Sequence, residues 1–149
     1  MFIDTILEKI QYNEDDLRTK HDGIAAVIMK GDKILMMDHV KFNFWTIPVG
    51  KVDENQSVED GFKMEIGEEL GIKPIKYKEI HKFVKRYKRE SKMVTVTSHI
   101  FLIEKWTGTI RNNEPKKHRS IKWMTVDEIK KQREISDATK EALKVIEKI

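Results

Sequence analysis

The chain has 149 residues, enough for one domain with a real core and too few for two comfortable ones, so a single domain over residues 1–149 is expected. Hydrophobic residues at 39% and charged residues at 36%, with no apolar run near the roughly 20 residues of a membrane span, exclude a membrane-embedded or disordered chain. The formal charge is +4, and the lack of cysteine excludes disulfides and thiolate catalysis, which makes a cytoplasmic setting the default.

In chain order, MFIDTILEKIQYNEDDLR has acidic residues in its first apolar patch and neither a basic leader nor a small-residue cleavage site, so it does not read as a signal peptide. GIAAVIMKGDKILMMDHV predicts two partly buried strands joined by a turn at Gly31 and Asp32. KFNFWTIPVGKVDENQ, with Pro48 and Gly50, predicts a loop or short strand. A helix over 57–70 follows: Ser57 is the N-cap, Asp60 stands at the reciprocal capping position, Val58, Phe62, Ile66 and Leu70 recur every four residues, and Gly71 is the stop. YKEIHKFVKRY and MVTVTSHIFLIEKW predict two long strands joined near Glu90 to Lys92, and SIKWM another short one. A short helix is expected from Asp127 to Gln132, and Ser136 caps a last helix with an apolar stripe of Ala142, Val145, Ile146 and Ile149. Strands and helices in this order predict an α/β sandwich with a mixed β-sheet.

The positive charge is uneven. KFVKRYKRESK gathers Lys82, Lys85, Arg86, Lys88, Arg89 and Lys92, which reads either as a solvated hairpin tip or as a surface for a polyanion such as a nucleotide or RNA.

Within the predicted helix, Glu59, Asp60 and Lys63 fall opposite the apolar arc, but Glu65, Glu68 and Glu69 project along its flank, at the rim of the core. Like charges at this spacing repel, and no basic residue lies one turn away to relieve them. Either lysines from elsewhere in the chain pair with them, or they hold a hard divalent cation such as Mg²⁺ or Mn²⁺. Gly61 and Gly67 each cost the helix about 1 kcal/mol relative to alanine. Gly61 lies on the carboxylate flank, where the missing side chain leaves room for a loop or a ligand.

GKVDENQSVEDGFKMEIGEELGI resembles, without gaps, the 23-residue signature of the Nudix hydrolases, MutT-like members included. Gly50 takes its first position, Glu65, Ile66, Glu68 and Glu69 its central block, and Gly71 and Ile72 its end. Gln56 stands where the family has its first Glu and Met64 where it has Arg, a slight degeneracy that exchanges an ion pair for a neutral contact. FWTIPVGKVD and NNEPKKHRSIKWMTVDEI resemble family segments before and after, the latter in the branch that cleaves nucleoside triphosphates.

The resemblance implies a Nudix-type α/β/α sandwich and hydrolysis of a phosphoanhydride in a nucleoside diphosphate linked to another group. It makes Glu65, Glu68 and Glu69 both catalytic residues and ligands of Mg²⁺ or Mn²⁺. The carbonyl of Gly50 is a further ligand, and Glu114, ahead of Glu104, the remaining carboxylate. Substrate contacts are expected at Phe44, Trp45, Lys51 and Tyr87, although most aromatics before the signature, Phe42 included, suit the core, as does Trp123. A nucleoside triphosphate is the expected substrate, with an RNA 5′ end, a dinucleoside polyphosphate, or a catalytically weak binding domain as alternatives. The partner is then a nucleotide, with RNA in view and no membrane, for a monomer or homodimer.

Overall fold

The computed structural model describes residues 19–89 and 92–148. The reading of the first 18 residues, the residues joining the long strands and Ile149 lie outside them. The first hairpin is β1 (Lys20–Lys30) and β2 (Lys33–His39), turning at Gly31 as its sequence requires. The stretch expected as a loop or short strand holds two three-residue strands, β3 (Phe44–Thr46) and β4 (Val49–Lys51). Helix α1 (Val58–Leu70) follows, then the long pair β5 (Lys73–Arg89) and β6 (Lys92–Thr107), β7 (His118–Thr125), α2 (Val126–Lys130) and α3 (Asp137–Ile146).

The sheet is mixed. β1 runs parallel to β6 from Lys20↔Thr95 to Ile28↔Ile103, whereas β2, β4 and the β5–β6 pair are antiparallel. The order is β3-β2-β1-β6-β5, with β7 paired to β2 and β4 to β1. β1 is buried on both faces, which is why it reads as a continuous apolar run. Ile24, Ala26 and Ile28 pack toward α1, and Ala25 and Val27 toward α3. One helical layer on each face gives the expected α/β/α sandwich.

The face of α1 turned to the sheet carries Phe62, Ile66 and Leu70, all fully buried, with Phe62 stacked on Phe101 at 4.1 Å between ring centroids. Each such side chain contributes about 1.5–3 kcal/mol by leaving water. Ser57 accepts a hydrogen bond from the Asp60 N–H at 3.1 Å, and Gly71, at φ 72°, closes the helix through its N–H to the Gly67 carbonyl. A Cβ on Gly61 would lie 3.0 Å from Val52 and 3.1 Å from the Gln56 Oε1, so the preceding loop takes the space offered by this glycine. Nothing in the packing explains Gly67.

On the other face, Thr125 caps α2 one residue earlier than expected, through a reciprocal bond with Glu128. α3 buries Ala138, Ala142 and Leu143, while Val145 and Ile146 are half-buried, so its stripe is rotated relative to the predicted one.

Candidate active site

β4 and α1 meet where Gly50 pairs with Ile24. The Glu65 side chain lies against Gly50 so closely that a Cβ there would be 2.5 Å from Glu65 Cγ and 2.6 Å from Oε2. Glycine is required by this contact. Along α1, Glu65 is half-buried and Glu68 exposed, but Glu69 is only 5% exposed, so the expectation that all three stand at the rim is corrected for Glu69. The reason is the segment after β6, which crosses the end of the helix: the Arg111 N–H donates to the Leu70 carbonyl and the Asn113 N–H to the Glu69 carbonyl, each at 3.0 Å. The same segment carries Glu114 toward Glu65 and Glu69 and adds Lys117, which forms an ion pair with Glu114 at 3.2 Å.

These groups strain against one another. Burial, and after it the Glu68 charge, pushes the Glu65 carboxyl up to about 7, with Glu114 and Asp53 adding and Lys117 opposing. Burial pushes Glu69 well above the usual carboxylate range, with Glu65 and Glu114 next in weight. Glu69 Oε2 is buried without a hydrogen-bond partner among the described residues, an arrangement that costs about 1–3 kcal/mol. Lys117 and Asp53 are the members that sequence reasoning missed. Lys117 supplies part of the cationic relief from elsewhere in the chain, but one lysine faces five carboxylates.

The residues present fit a hard divalent cation. The donors are carboxylate and carbonyl oxygens, one of them stands without a partner, and Gly50 keeps the wall beside Glu65 open. Among the described residues no three acidic or imidazole side chains are already drawn into a coordinating cage, so a cation would have to close this cluster upon itself. Glu104 stands apart from it, held at the far end of the hairpin by Lys76 at 3.0 Å and Lys78 at 3.9 Å.

The two departures from the signature touch. Gln56 Nε2 donates to Met64 Sδ at 3.4 Å, while Gln56 Oε1 accepts from the Asp53 N–H at 3.1 Å. A neutral contact thus bridges loop and helix where the family pattern has an ion pair.

The expected substrate contacts divide. Phe44 is 2% exposed, its ring packed among Phe42 and His39 at 5.7 and 5.9 Å, and burial leaves it no free face for a base, which corrects that expectation. Trp45 is half-buried against the α3-side core and remains reachable. Lys51 alternates away from Gly50, onto the sheet face opposite the glutamates. The side chain of Tyr87 lies outside the described residues. Also unforeseen is the pair His39 and His118, edge to face at 5.6 Å; burial, with the facing His118 next, lowers His39 to about 4, and burial also lowers His118.

Two clefts open nearby. One of about 310 Å³ runs beside Asp53 and Gln56 to Lys20 and Asp22. Another of about 410 Å³ lies between Trp106 and Trp123 with Lys30, and neither cleft is lined by Glu65, Glu68, Glu69 or Glu114.

The NUDIX domain model matches residues 19–146. An 8-oxo-dGTP diphosphatase of Buchnera aphidicola subsp. Schizaphis graminum (strain Sg) is 28% identical over 111 residues, 72% of this chain and 78% of that protein. A MutT NUDIX hydrolase from Burkholderia pseudomallei superposes with a TM-score of 0.74 at 25% identity, over 87% of this chain and 99% of that one. The E. coli ORF135 protein, at TM-score 0.70 and 20% identity over 87% and 90% of the two chains, shares the fold. With its unbroken glutamate block on α1, the chain belongs to the Nudix hydrolases of the MutT type, and it is a pyrophosphohydrolase.

Proposed function

We propose that the chain hydrolyses the phosphoanhydride of a nucleoside triphosphate, releasing a nucleoside monophosphate and pyrophosphate, with Mg²⁺ or Mn²⁺ as cofactor. The observation that carries this reading is the buried Glu69 Oε2, without a hydrogen-bond partner among the described residues, beside Glu65 and Glu114. Glu65, Glu68, Glu69 and Glu114, with the Gly50 carbonyl, would hold it. Such an ion neutralises phosphate oxygens and lowers the pKa of a bound water. The chain's own part is positional: Gly50 fixes Glu65, the 111–114 segment fixes Glu69 and Glu114, and Lys117 is at hand for a phosphate oxygen. Trp45 is the aromatic contact left to a base and Tyr87 remains a proposal for the rest of the substrate, whereas Lys51, on the sheet face opposite the glutamates, is not placed to meet the phosphates held there.

The curated relative acts, by its name, on 8-oxo-dGTP, so an oxidised purine triphosphate belongs in the substrate panel. The same reading places the protein in the cytoplasm as a single domain, monomer or homodimer; among the described residues no helix is long and apolar enough to cross a membrane.

The test is a panel of nucleoside triphosphates including 8-oxo-dGTP, nucleotide sugars and dinucleoside polyphosphates, with Mg²⁺, Mn²⁺ or EDTA, followed by product release. Triphosphates are expected to turn over fastest and only with metal. Absence of cleavage under every metal defeats the proposal.

A further inference from the structure

Two of the chain's three tryptophans, Trp106 and Trp123, line one cleft of about 410 Å³ on the α1 side of the sheet. The other residues around it are Lys30, Gly108, Thr109 and Ile110, and none is acidic. Trp106 reaches this face through an irregularity. Ile103 lies on it opposite Tyr77, and simple alternation would send Trp106 to the α3 side. The ladder slips instead between Tyr77↔Ile103 and Lys76↔Lys105, so Glu104 is an extra residue and Trp106 turns back onto the α1-side core, which Ile110 and Trp123 also touch. β7, β2, β1 and β6 stand in that order, so Trp123 and Trp106 rise about 14 Å apart across the strands, three spacings of about 4.8 Å. A flat ring system fits between two indoles at that separation, since aromatic faces pair at about 4.5–7 Å between centroids.

The walls of the cleft are fixed by the fold. Gly108, at φ 94°, is pressed against the end of α1, where a Cβ on it would lie 2.9 Å from the Gly71 carbonyl oxygen. Three residues on, the Arg111 N–H is held by the Leu70 carbonyl, so residues 108–110 are tied at both ends. Trp123 turns a ring face into the cleft, because the Lys30 Nζ stands over it at 5.8 Å from the centroid. Lys33 is the cross-strand neighbour of Lys30 and shares its face, and both lysines are exposed without an ion pair to a described acidic residue. The acid that feels Lys33, Glu128, is taken up by the Thr125 cap. Protein interiors are close-packed, yet both indoles are left half-buried beside this open space. The cleft offers two aromatic surfaces, a hydroxyl at Thr109 and two cations, which together complement a flat ring that carries an anion.

We propose that this cleft is a second nucleotide site, separate from the glutamates, in which a base stacks between Trp106 and Trp123 and its phosphate meets Lys30 and Lys33. Lys30 then exchanges its contact with the Trp123 ring for the phosphate, and the base takes its place over the indole. The two sites share one segment, since residues 108–110 wall the cleft and run on into the stretch that bonds the Leu70 and Glu69 carbonyls and carries Glu114. The choice of a nucleotide among flat anions rests on the reading of the glutamate site, whose substrate and product are such molecules; the shape and charge of the cleft do not.

The test uses the full chain in EDTA, with AMP as probe and adenosine and ribose 5-phosphate as its two halves. The reporters are the indole N–H signals of the three tryptophans in a nuclear magnetic resonance titration, assigned with Trp45→Phe, Trp106→Phe and Trp123→Phe. AMP is expected to move the Trp106 and Trp123 signals together along one saturating curve, in the wild type and in Glu69→Gln alike. Adenosine should bind at least about tenfold more weakly, and the double variant Lys30→Glu, Lys33→Glu should weaken AMP to the level of adenosine. Ribose 5-phosphate should leave both signals in place. Circular dichroism checks the fold of the double variant, and the single Lys33→Glu, expected to weaken AMP several-fold, is the milder substitution. Movement of the Trp45 signal alone overturns the proposal, as does AMP binding that the lysine variants leave unchanged. So does a shift of the Trp106 and Trp123 signals with protein concentration in the absence of AMP, which would assign the cleft to a second copy of the chain. Lack of triphosphate turnover with Mg²⁺ or Mn²⁺, with AMP still moving Trp106 and Trp123, strikes the reading of the glutamates and leaves the cleft standing.

Discussion

Helices α1 and α3 cover opposite faces of one sheet, begin alike at a serine cap and bury comparable apolar stripes, yet they treat their glutamates in opposite ways. In α3, burial raises Glu141, but bonds to Lys144 at 2.7 Å and His81 at 3.2 Å outweigh it and hold the carboxyl below its ordinary range. In α1 the last turn has no basic residue, Glu69 is more deeply buried than any other described glutamate, and burial and like charge both push it up. The pairing in α3 is what a helix does when only stability is at stake. On the proposed reading, the Glu69 oxygen that has no hydrogen-bond partner among the described residues is the place for a ligand from outside the chain. The contrast predicts that the two helices fail differently.

The largest effect belongs to α1. Glu69→Gln keeps the shape and removes the charge, so turnover should fall about 10²–10⁴-fold, the range for loss of one acid–base or charge-stabilising group. The metal-free protein should melt higher than wild type at neutral pH, because glutamine bears neither a buried charge nor a proton held against the ordinary carboxyl range. Phosphate release and thermal melts in EDTA check the pair, and retained turnover removes Glu69 from the site. Next is Leu143→Ala in α3, which should cost about 2–5 kcal/mol in a urea titration through lost burial and a residual cavity. Turnover per folded molecule should not change; if it drops with stability intact, the α3 layer takes part in the chemistry and the division between the helices is wrong.

How much of this was legible follows the reach of each interaction. The bounds of α1 were readable because its cap, stripe and stop lie within one stretch, and the Gln56–Met64 contact because both departures fall in one signature. The burial of Glu69 was not, since it depends on residues 111–114 crossing the helix end, a contact distant in sequence. Lys117 escaped for the same reason, and so did the His39–His118 pair, which β2 and β7 bring together. Phe44 was misjudged because position before a signature says nothing about which rings surround it.

Removing metal should expose the comparison in pH. Glu65 in the folded chain titrates at about 7, above its ordinary 4.5, so its contribution is intact below pH 4.5 and lost as pH rises through 7, roughly 2–3 kcal/mol in all. His39 works in the other direction: lowered from 6.5 to about 4, it favours the folded state above pH 6.5 and counts against it as pH falls toward 4. In EDTA the protein should therefore melt lower at pH 8 than at pH 6.5. Excess Mg²⁺ should cancel that loss and leave the histidine slope, so the stabilisation by Mg²⁺ grows from pH 5 to pH 8. A shift in melting temperature that is the same at every pH sinks the assignment of the ion to these carboxylates.

The smallest effect is the most discriminating. If α1 left its carboxylates unpaired only by drift, restoring the family's ion pair should strengthen the chain as pairing does in α3. Gln56→Glu alone sets a charge against the Met64 sulfur, and Met64→Arg alone leaves a half-buried cation unmatched; each should cost about 1 kcal/mol. The double variant should return to within about 0.5 kcal/mol of wild type, since exchanging a whole pair is nearly neutral where breaking one is not. A double-mutant cycle in urea reads the coupling directly, and strictly additive costs would show that Gln56 and Met64 are independent. The glutamates of α1 gain no counter-charge from the exchange, because the new pair is already satisfied within itself. Any rise in turnover then comes from the introduced carboxylate lending its charge to the cation, and unchanged turnover means that Gln56 already serves the reaction.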